Sequence, residues 1–251
     1  MKGTVWAVRC FLRPITDQAE RYDAISQYLQ RVRTEFSCPF EFLPEGIKVR
    51  GKWYPIVKMA WIEGKLLHTY IQDKLLNPIA IATLRERWRR MSKLLEQLKI
   101  AHGDLQQGNV LVKNDNLILI DYDGMWVPTL VGKTGTEIGH RAFQHPLRST
   151  NDFGPYLDRF SSLIVYMTLL ALEKKPSLWH DFHNGDNLLF TQEDFKDGVT
   201  PVWKELLTCN SAQLNHCMTH LIQALKGPAD KCLPLEEVLK KSPLPLPRWM
   251  K

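Results

Sequence analysis

The sequence predicts an α+β fold in two lobes, a small strand-rich one over residues 1–62 and a larger helical one over 63–251. Three observations carry this. Strand-like runs and a single helix fill the chain up to Ile62, and a break falls at "EGK" (63–65). Beyond the break, long stretches have helical apolar periodicity. Between them lies a polar, acid-bearing stretch, "AHGDLQQGNVLVKNDNLILIDYDG" (101–124), placed to face the seam.

Residues 4–12, "TVWAVRCFL", read as a strand. "ITDQAERYDAISQYLQRVR" then reads as a helix, with Ile25, Leu29 and Val32 on one face and a D-x-x-E capping box at Asp17 and Glu20. "PFEFLPEGIKV" and "KWYPIVKMAWI" form a hairpin turning through Arg50 and Gly51. Leu84, Trp88, Met91, Leu95 and Leu98 recur at i, i+4, i+7, i+11 and i+14, which predicts a long amphipathic helix. The polar stretch contains two short strands joined at "KNDN", followed by a loop to about residue 155. An apolar helix starts at Asp158, and further helices run to about Lys241. The tail "SPLPLPRWMK" alternates prolines and is expected to be extended.

Composition excludes several classes. With 251 residues, 44% hydrophobic and 24% charged, the chain can bury a sizeable core. The net charge of +6 is spread along the chain, which suits anionic ligands but not a nucleic-acid partner. "RERWRR" (85–90) reads as a solvated helix face with a Glu86/Arg90 pair. Five cysteines without C-x-x-C point to a reduced, cytoplasmic protein, and His216, His220 and Cys217 lack metal-site spacing. The N-terminus has no signal-peptide core, and "LIVYMTLLAL" (163–172) is too short for a membrane span.

The polar stretch carries the chemistry. Asp104 sits in a turn, and Asn109 opens a strand five residues later. If that strand pairs with 117–121, Asp121 emerges close to Asn109. Two hard oxygen ligands side by side suit Mg²⁺, which takes carboxylates together with substrate phosphates. Asp104 is then placed to accept a proton from an incoming hydroxyl, and phosphoryl transfer needs that combination.

The stretch resembles the protein-kinase-like superfamily, which includes Ser/Thr protein kinases and aminoglycoside phosphotransferases. "HGDLQQGN" looks like its catalytic loop and "LILIDYDG" like the strand into the metal-binding D-F-G. The resemblance implies Asp104 as catalytic base and Asn109 with Asp121 as Mg²⁺ ligands. Asp123 is the alternative second acid, standing where the family would have glycine. "WAVR" (6–9) resembles V-A-I-K, with Ala7 on an adenine roof and Arg9 in the lysine position. "IVKMAWIEG" (56–64) resembles the hinge strand, with Met59 as gatekeeper and the backbone of Ala60 and Ile62 facing adenine. Leu111 joins this set, although core packing also accounts for Met59 and Leu111. "GHRAFQHP" (139–146) loosely resembles the substrate-loop anchor, with Leu147 where a glutamate would stand. "LDRFSSLIVYMTLLAL" (157–172) resembles the buried central helix of protein kinases, whose Asp158 would accept catalytic-loop backbone bonds; this favours the protein-kinase branch. "LPLEEVLKK" (233–241) resembles the closing helix.

Departures accompany the likeness. Arg9 offers a planar fork instead of an ammonium. Gln106 stands where protein kinases carry a lysine, and Glu20 is either the partner of Arg9 or a helix cap. No glycine-rich loop precedes the strand holding Arg9, which implies a truncated small lobe. His102 is expected to brace the catalytic loop, and Trp61, Trp126, Trp179, Trp203 and Trp249 to be core or interface aromatics. The expected function is ATP- and Mg²⁺-dependent transfer of phosphate to a protein or small-molecule hydroxyl. The alternatives are a pseudokinase scaffold with a regulatory protein partner, and a small-molecule kinase or nucleotidyl transferase on the same scaffold.

Overall fold

The computed structural model describes residues 5–11, 17–197, 200–242 and 244. The outer ends of the first strand, nearly all of the Pro-alternating tail, and Trp249 lie outside them.

Three strands open the chain's architecture: β1 (Trp6–Cys10), β2 (Phe40–Val49) and β3 (Lys52–Ala60), with helix α1 (Gln18–Val32) between the first two. The antiparallel order is β1-β3-β2, so β1 pairs with β3 alone among the described strands. The hairpin turns where the sequence places it. Arg50 (φ 49°) and Gly51 (φ 83°) both take left-handed backbone, the pairing that matches strand twist in a two-residue turn. Alternation puts Ala7, Met59 and Phe40 on one face, with Arg9, Val57 and Phe42 beside them.

Helix α1 buries Tyr22, Ile25, Tyr28 and Leu29 against this face and leaves Val32 half-buried. The expected capping box does not form. Asp17 adopts φ 74°, and its side chain makes no cap bond; Arg21 and Lys133 hold its carboxylate instead. Two cations outcompete a neutral amide for the same oxygens.

A second sheet, β4 (Lys65–Leu66), β5 (Val110–Lys113) and β6 (Asn116–Leu119), lies below the first. A parallel bridge between Ser37 and Leu119 joins the two layers. Tyr122 clamps the same place: its hydroxyl accepts from the Cys38 amide at 3.0 Å and donates to the Leu119 carbonyl at 2.8 Å.

The rest is helical. After α2 (Leu67–Lys74), α3 (Pro78–Gln97) starts with Asn77 accepting from the Ala80 amide at 3.0 Å and with proline in its first turn. Of its predicted stripe, Leu84, Trp88, Met91 and Leu95 are buried, while Leu98 falls just past the helix end and is half-buried; Trp88 Nε1 donates to the Ser162 carbonyl at 3.1 Å. That carbonyl belongs to α4 (Arg159–Lys174), buried from Phe160 to Leu172 and therefore the central helix. Shorter helices α5 (Leu178–Phe182), α6 (Asp194–Asp197) and α7 (Pro201–Leu207), then α8 (Ala212–Leu225) and α9 (Leu235–Lys240), wrap around it.

The arginine cluster differs from a solvated face. Arg85 donates to Tyr166 at 2.8 Å and pairs with Glu173, both on α4, while Arg89 chelates Glu236 on α9. The Glu86/Arg90 pair is not made, because Arg90 reaches Glu35 at 2.8 Å and Glu86 turns to Arg85 and Arg89. Trp126, Trp179 and Trp203 are core, as expected, but Trp61 is 61% exposed. The five cysteines are free thiols, and His216 donates to the Val238 carbonyl at 2.7 Å, in no metal group among the described residues. No described helix is long and apolar enough to cross a membrane.

His145 is buried against Phe160, with Nε2 on the Ala224 carbonyl and Nδ1 accepting from the Leu147 amide, both at 3.2 Å. That pattern requires the neutral ring, and desolvation lowers its pKa. The unfolded chain, with a histidine pKa of about 6.5, then binds the proton more readily. The stabilisation is therefore full above about pH 6.5 and is lost as pH falls through the lower folded value. The melting temperature is expected to drop on acidification below about pH 6.5, and His145→Gln to flatten part of that slope in a calorimetric pH series.

Candidate active site

The catalytic-loop segment is set by one buried acid. Asp158, just ahead of α4, is enclosed, and its carboxylate receives the backbone N–H of His102 and, at 2.9 Å, that of Gly103. Burial pushes its pKa up, while His102, the two amides and Arg148 pull it back. The His102 ring is fully buried: Nε2 donates to the Ile120 carbonyl at 2.9 Å, and Nδ1 faces the Asp104 amide at 3.4 Å. It thus ties the loop to the residue preceding Asp121, the bracing role expected for it. Gly103 adopts φ +83°, and a Cβ there would sit 2.0 Å from the Gly124 carbonyl oxygen. The turn between His102 and Asp104 therefore requires glycine.

These constraints aim Asp104. Its Oδ2 accepts from Asn109 Nδ2 at 2.8 Å, and the same amide reaches the Asp104 carbonyl at 2.9 Å. Its Oδ1 accepts the His140 backbone N–H at 2.6 Å. That approach depends on Gly139, where a Cβ would meet Asp104 Oδ1 at 2.7 Å. Gln106 turns inward on its own loop, accepting from the Gly108 amide at 2.7 Å.

Ile120 N–H bonds the Asn109 carbonyl at 3.0 Å, so the end of β6 runs beside the start of β5 and Asp121 follows directly. Asp121 takes φ 62° and opens to the cleft. The surrounding protein desolvates its carboxyl, and with the charge of Asp123 this raises its pKa. Glu137 is raised in the same way, by desolvation and then by Asp104, Asp123 and Asp121. Asp121 and Glu137 thus each bind a proton more readily beside neighbouring acids, which makes this part of the cleft one where negative charge is crowded. Among the described residues no three ligating side chains are grouped to hold a metal unaided.

Above these acids a cavity of about 490 Å³ opens between the two sheets. Ala7, Met59, Ala60, Ile62 and Leu111 all line it, together with Arg9, Asp121 and Asp123. The residues assigned to adenine from sequence are thus brought to one apolar pocket, and the acids to its rim. Trp61 lines the same pocket while exposed at its mouth.

Arg9 departs from both readings of Glu20. Its guanidinium bonds Asp123, whose other oxygen accepts from the Tyr22 hydroxyl at 2.6 Å. Glu20 neither pairs with Arg9 nor caps α1; it holds Lys133 at 2.7 Å. Sequence reasoning missed Tyr22, Lys133, Glu137 and Arg148. Arg148 is buried and donates to the Gly103 carbonyl at 2.7 Å, at the cost of a pKa lowered by desolvation. Residues 133 and 137 lay in a stretch without periodicity, and a lone arginine in a loop carries no signal of burial.

Residues 43–127 match the RIO domain family, RIO1, a segment that includes Met59, Asp104, Asn109, Asp121 and Asp123. The solved structure of the Cydia pomonella granulovirus kinase PK-1 superposes with a TM-score of 0.57 at 15% identity, over 96% of this chain and 86% of that one. The fold is protein-kinase-like. No curated protein matches in sequence. In kinase-like terms, the three-strand sheet with α1 is the small lobe and the helices packed on α4 form the large one.

Substituting Gly103→Ala forces either a left-handed alanine or a shift of the Gly124 carbonyl. It is expected to lower stability by roughly 1–3 kcal/mol in urea unfolding.

Proposed function

We propose that the protein is an ATP- and Mg²⁺-dependent phosphotransferase acting on a hydroxyl of a protein or small molecule. The RIO-domain match and the kinase structural neighbour support a kinase-like phosphotransferase in general terms. The observation that carries the specific reading is the bonded pair Asp104–Asn109, tied through the Asn109 carbonyl to Ile120 N–H, so that Asp121 follows directly and lines an apolar cavity sized for a nucleoside base.

In this reading Ala7, Met59, Ala60, Ile62 and Leu111 surround adenine, and water is excluded from their faces. Arg9 directs a guanidinium at the phosphates. Asn109 and Asp121 hold Mg²⁺, which when bound neutralises phosphate charge and lowers the cost of its redistribution. Asp104 accepts the proton of the substrate hydroxyl through a carboxylate that Asn109 and the His140 amide keep in one orientation. Asp158 and His102 maintain that orientation from below. The buried α4 behind Asp158 favours a protein substrate, the arrangement that resembles protein kinases.

A second reading is a pseudokinase that binds nucleotide or a regulatory protein without turnover. Two observations favour it: the His140 amide already occupies an oxygen of Asp104, and Gln106 supplies no positive charge to the transferring group. Transfer of AMP instead of phosphate is a third reading. We place the protein in a reducing compartment such as the cytoplasm, consistent with its five free thiols.

With labelled ATP, Mg²⁺ and generic protein substrates, Asp104→Asn is expected to reduce transfer by about 10²–10⁴-fold with nucleotide-induced thermal stabilisation retained. Wild-type incorporation no higher than that of the variant would sink the transferase reading and leave the binding module. The mass of the product separates phosphate from AMP transfer.

A further inference from the structure

Asp123 stands in the cleft with both carboxylate oxygens engaged. Oδ2 receives Arg9 Nη1, and Oδ1 receives the Tyr22 hydroxyl at 2.6 Å. The phenol is fixed in turn: the Tyr22 ring lies 5.6 Å from Phe11, 5.9 Å from Phe40 and 5.7 Å from Phe42. The Arg9 guanidinium also sits over Phe11, at 5.6 Å. Helix α1 therefore reaches Arg9 only through a neutral hydroxyl. Its acids are engaged elsewhere, Glu20 with Lys133 and Asp23 with Gln27; the N-cap Asp17 also holds Lys133, and Arg21 donates to the Thr134 carbonyl at 2.7 Å.

We infer that Asp123 is the counter-ion that positions Arg9, with Tyr22 as its brace, and that it is not a magnesium ligand. A metal at Asp123 would have to share an oxygen already held by Arg9 or Tyr22 and would sit beside the positive guanidinium, and Mg²⁺ tolerates little departure from ideal ligand geometry. Asp121, two residues earlier, opens to the cleft with a bond from the Asp123 backbone N–H and no side-chain ion pair among the described residues. The two acids of "DYDG" thus divide two tasks. Asp121 is left for the cation, and Asp123 spans from the lower lobe to the strand above it. Tyr22 is a positioning residue, acting on the phosphates only through Asp123 and Arg9. The inference rests on the phosphotransferase reading of the cleft and adds a role that neither glutamate capping nor a glutamate–arginine pair would provide.

Calorimetric titration of a non-hydrolysable ATP analogue into the full chain, across a Mg²⁺ series, tests it. D123N is expected to change analogue affinity by about fivefold or more, and to lose most of that effect in an R9M background, the signature of two residues acting as one unit. The Mg²⁺ concentration for half-maximal effect stays within about threefold in D123N, whereas D121N raises it by about tenfold or more, the scale expected when a metal site is disturbed. Y22F, which keeps the ring packing and removes only the hydroxyl, follows D123N in direction and leaves the Mg²⁺ requirement unchanged, so the test survives a D123N that fails to fold. A D123N that raises the Mg²⁺ requirement as D121N does, or shifts affinity equally with and without Arg9, overturns this inference alone. Absence of analogue binding by the wild type overturns the phosphotransferase reading and this inference together.

Discussion

The buried carboxylate of Asp158 is the constraint on which the rest of the cleft depends. A charge removed from water is tolerated only where donors replace the lost hydration, and here two consecutive amides, of His102 and Gly103, point at it. Fixing both fixes the turn that follows, including the left-handed glycine and the direction of Asp104. Arg148, also buried, bonds the Gly103 carbonyl and sets a positive charge near the acid. The loop is thus clamped at donor and acceptor alike, and α4 supplies the apolar mass that keeps water out.

From that clamp the geometry propagates upward. His102 passes it to the Ile120 carbonyl, Ile120 to Asn109 through the paired strands, and Tyr122 to the loop before β2. Asp121 is flanked on either side by residues with their own long-range bonds, so its position follows from its neighbours. The acids at the rim carry more negative charge than Arg9 alone neutralises, and the apolar walls above them offer no hydrogen-bonding competition. Under the proposed function, the apolar ceiling would take a flat base and the acids below it would face the phosphates and their metal.

Much of this was legible in the sequence, and the reason is local. Asp104, Asn109 and Asp121 lie within one short segment, and the pairing of its two strands brings Asn109 next to the strand that ends at Asp121, although the direction of Asp104 depends on the distant Asp158 and His140. The buried stripe of α3 and the left-handed Arg50–Gly51 turn follow from equally local patterns. What was not legible depends on partners far along the chain. Glu20 binds Lys133, 113 residues away, and nothing near Glu20 in the chain announces that partner. The arginines of α3 read as a solvated face because the acids that hold two of them, Glu173 and Glu236, belong to other helices. Trp61 breaks the rule that large aromatics are buried because it stands at the mouth of the pocket.

The position of β1 at the margin of its sheet has a dynamic consequence. Four of its five residues are exposed, and it is bonded to one neighbour only among the described strands. Such a strand can detach at a fraction of the free energy of global unfolding, and its amides should exchange with solvent well before those of α4. The guanidinium facing the cleft is therefore carried by one of the most easily loosened elements of the molecule. Its tether to Asp123 closes across that weakness, bonding the loosest strand to the acid that follows β6.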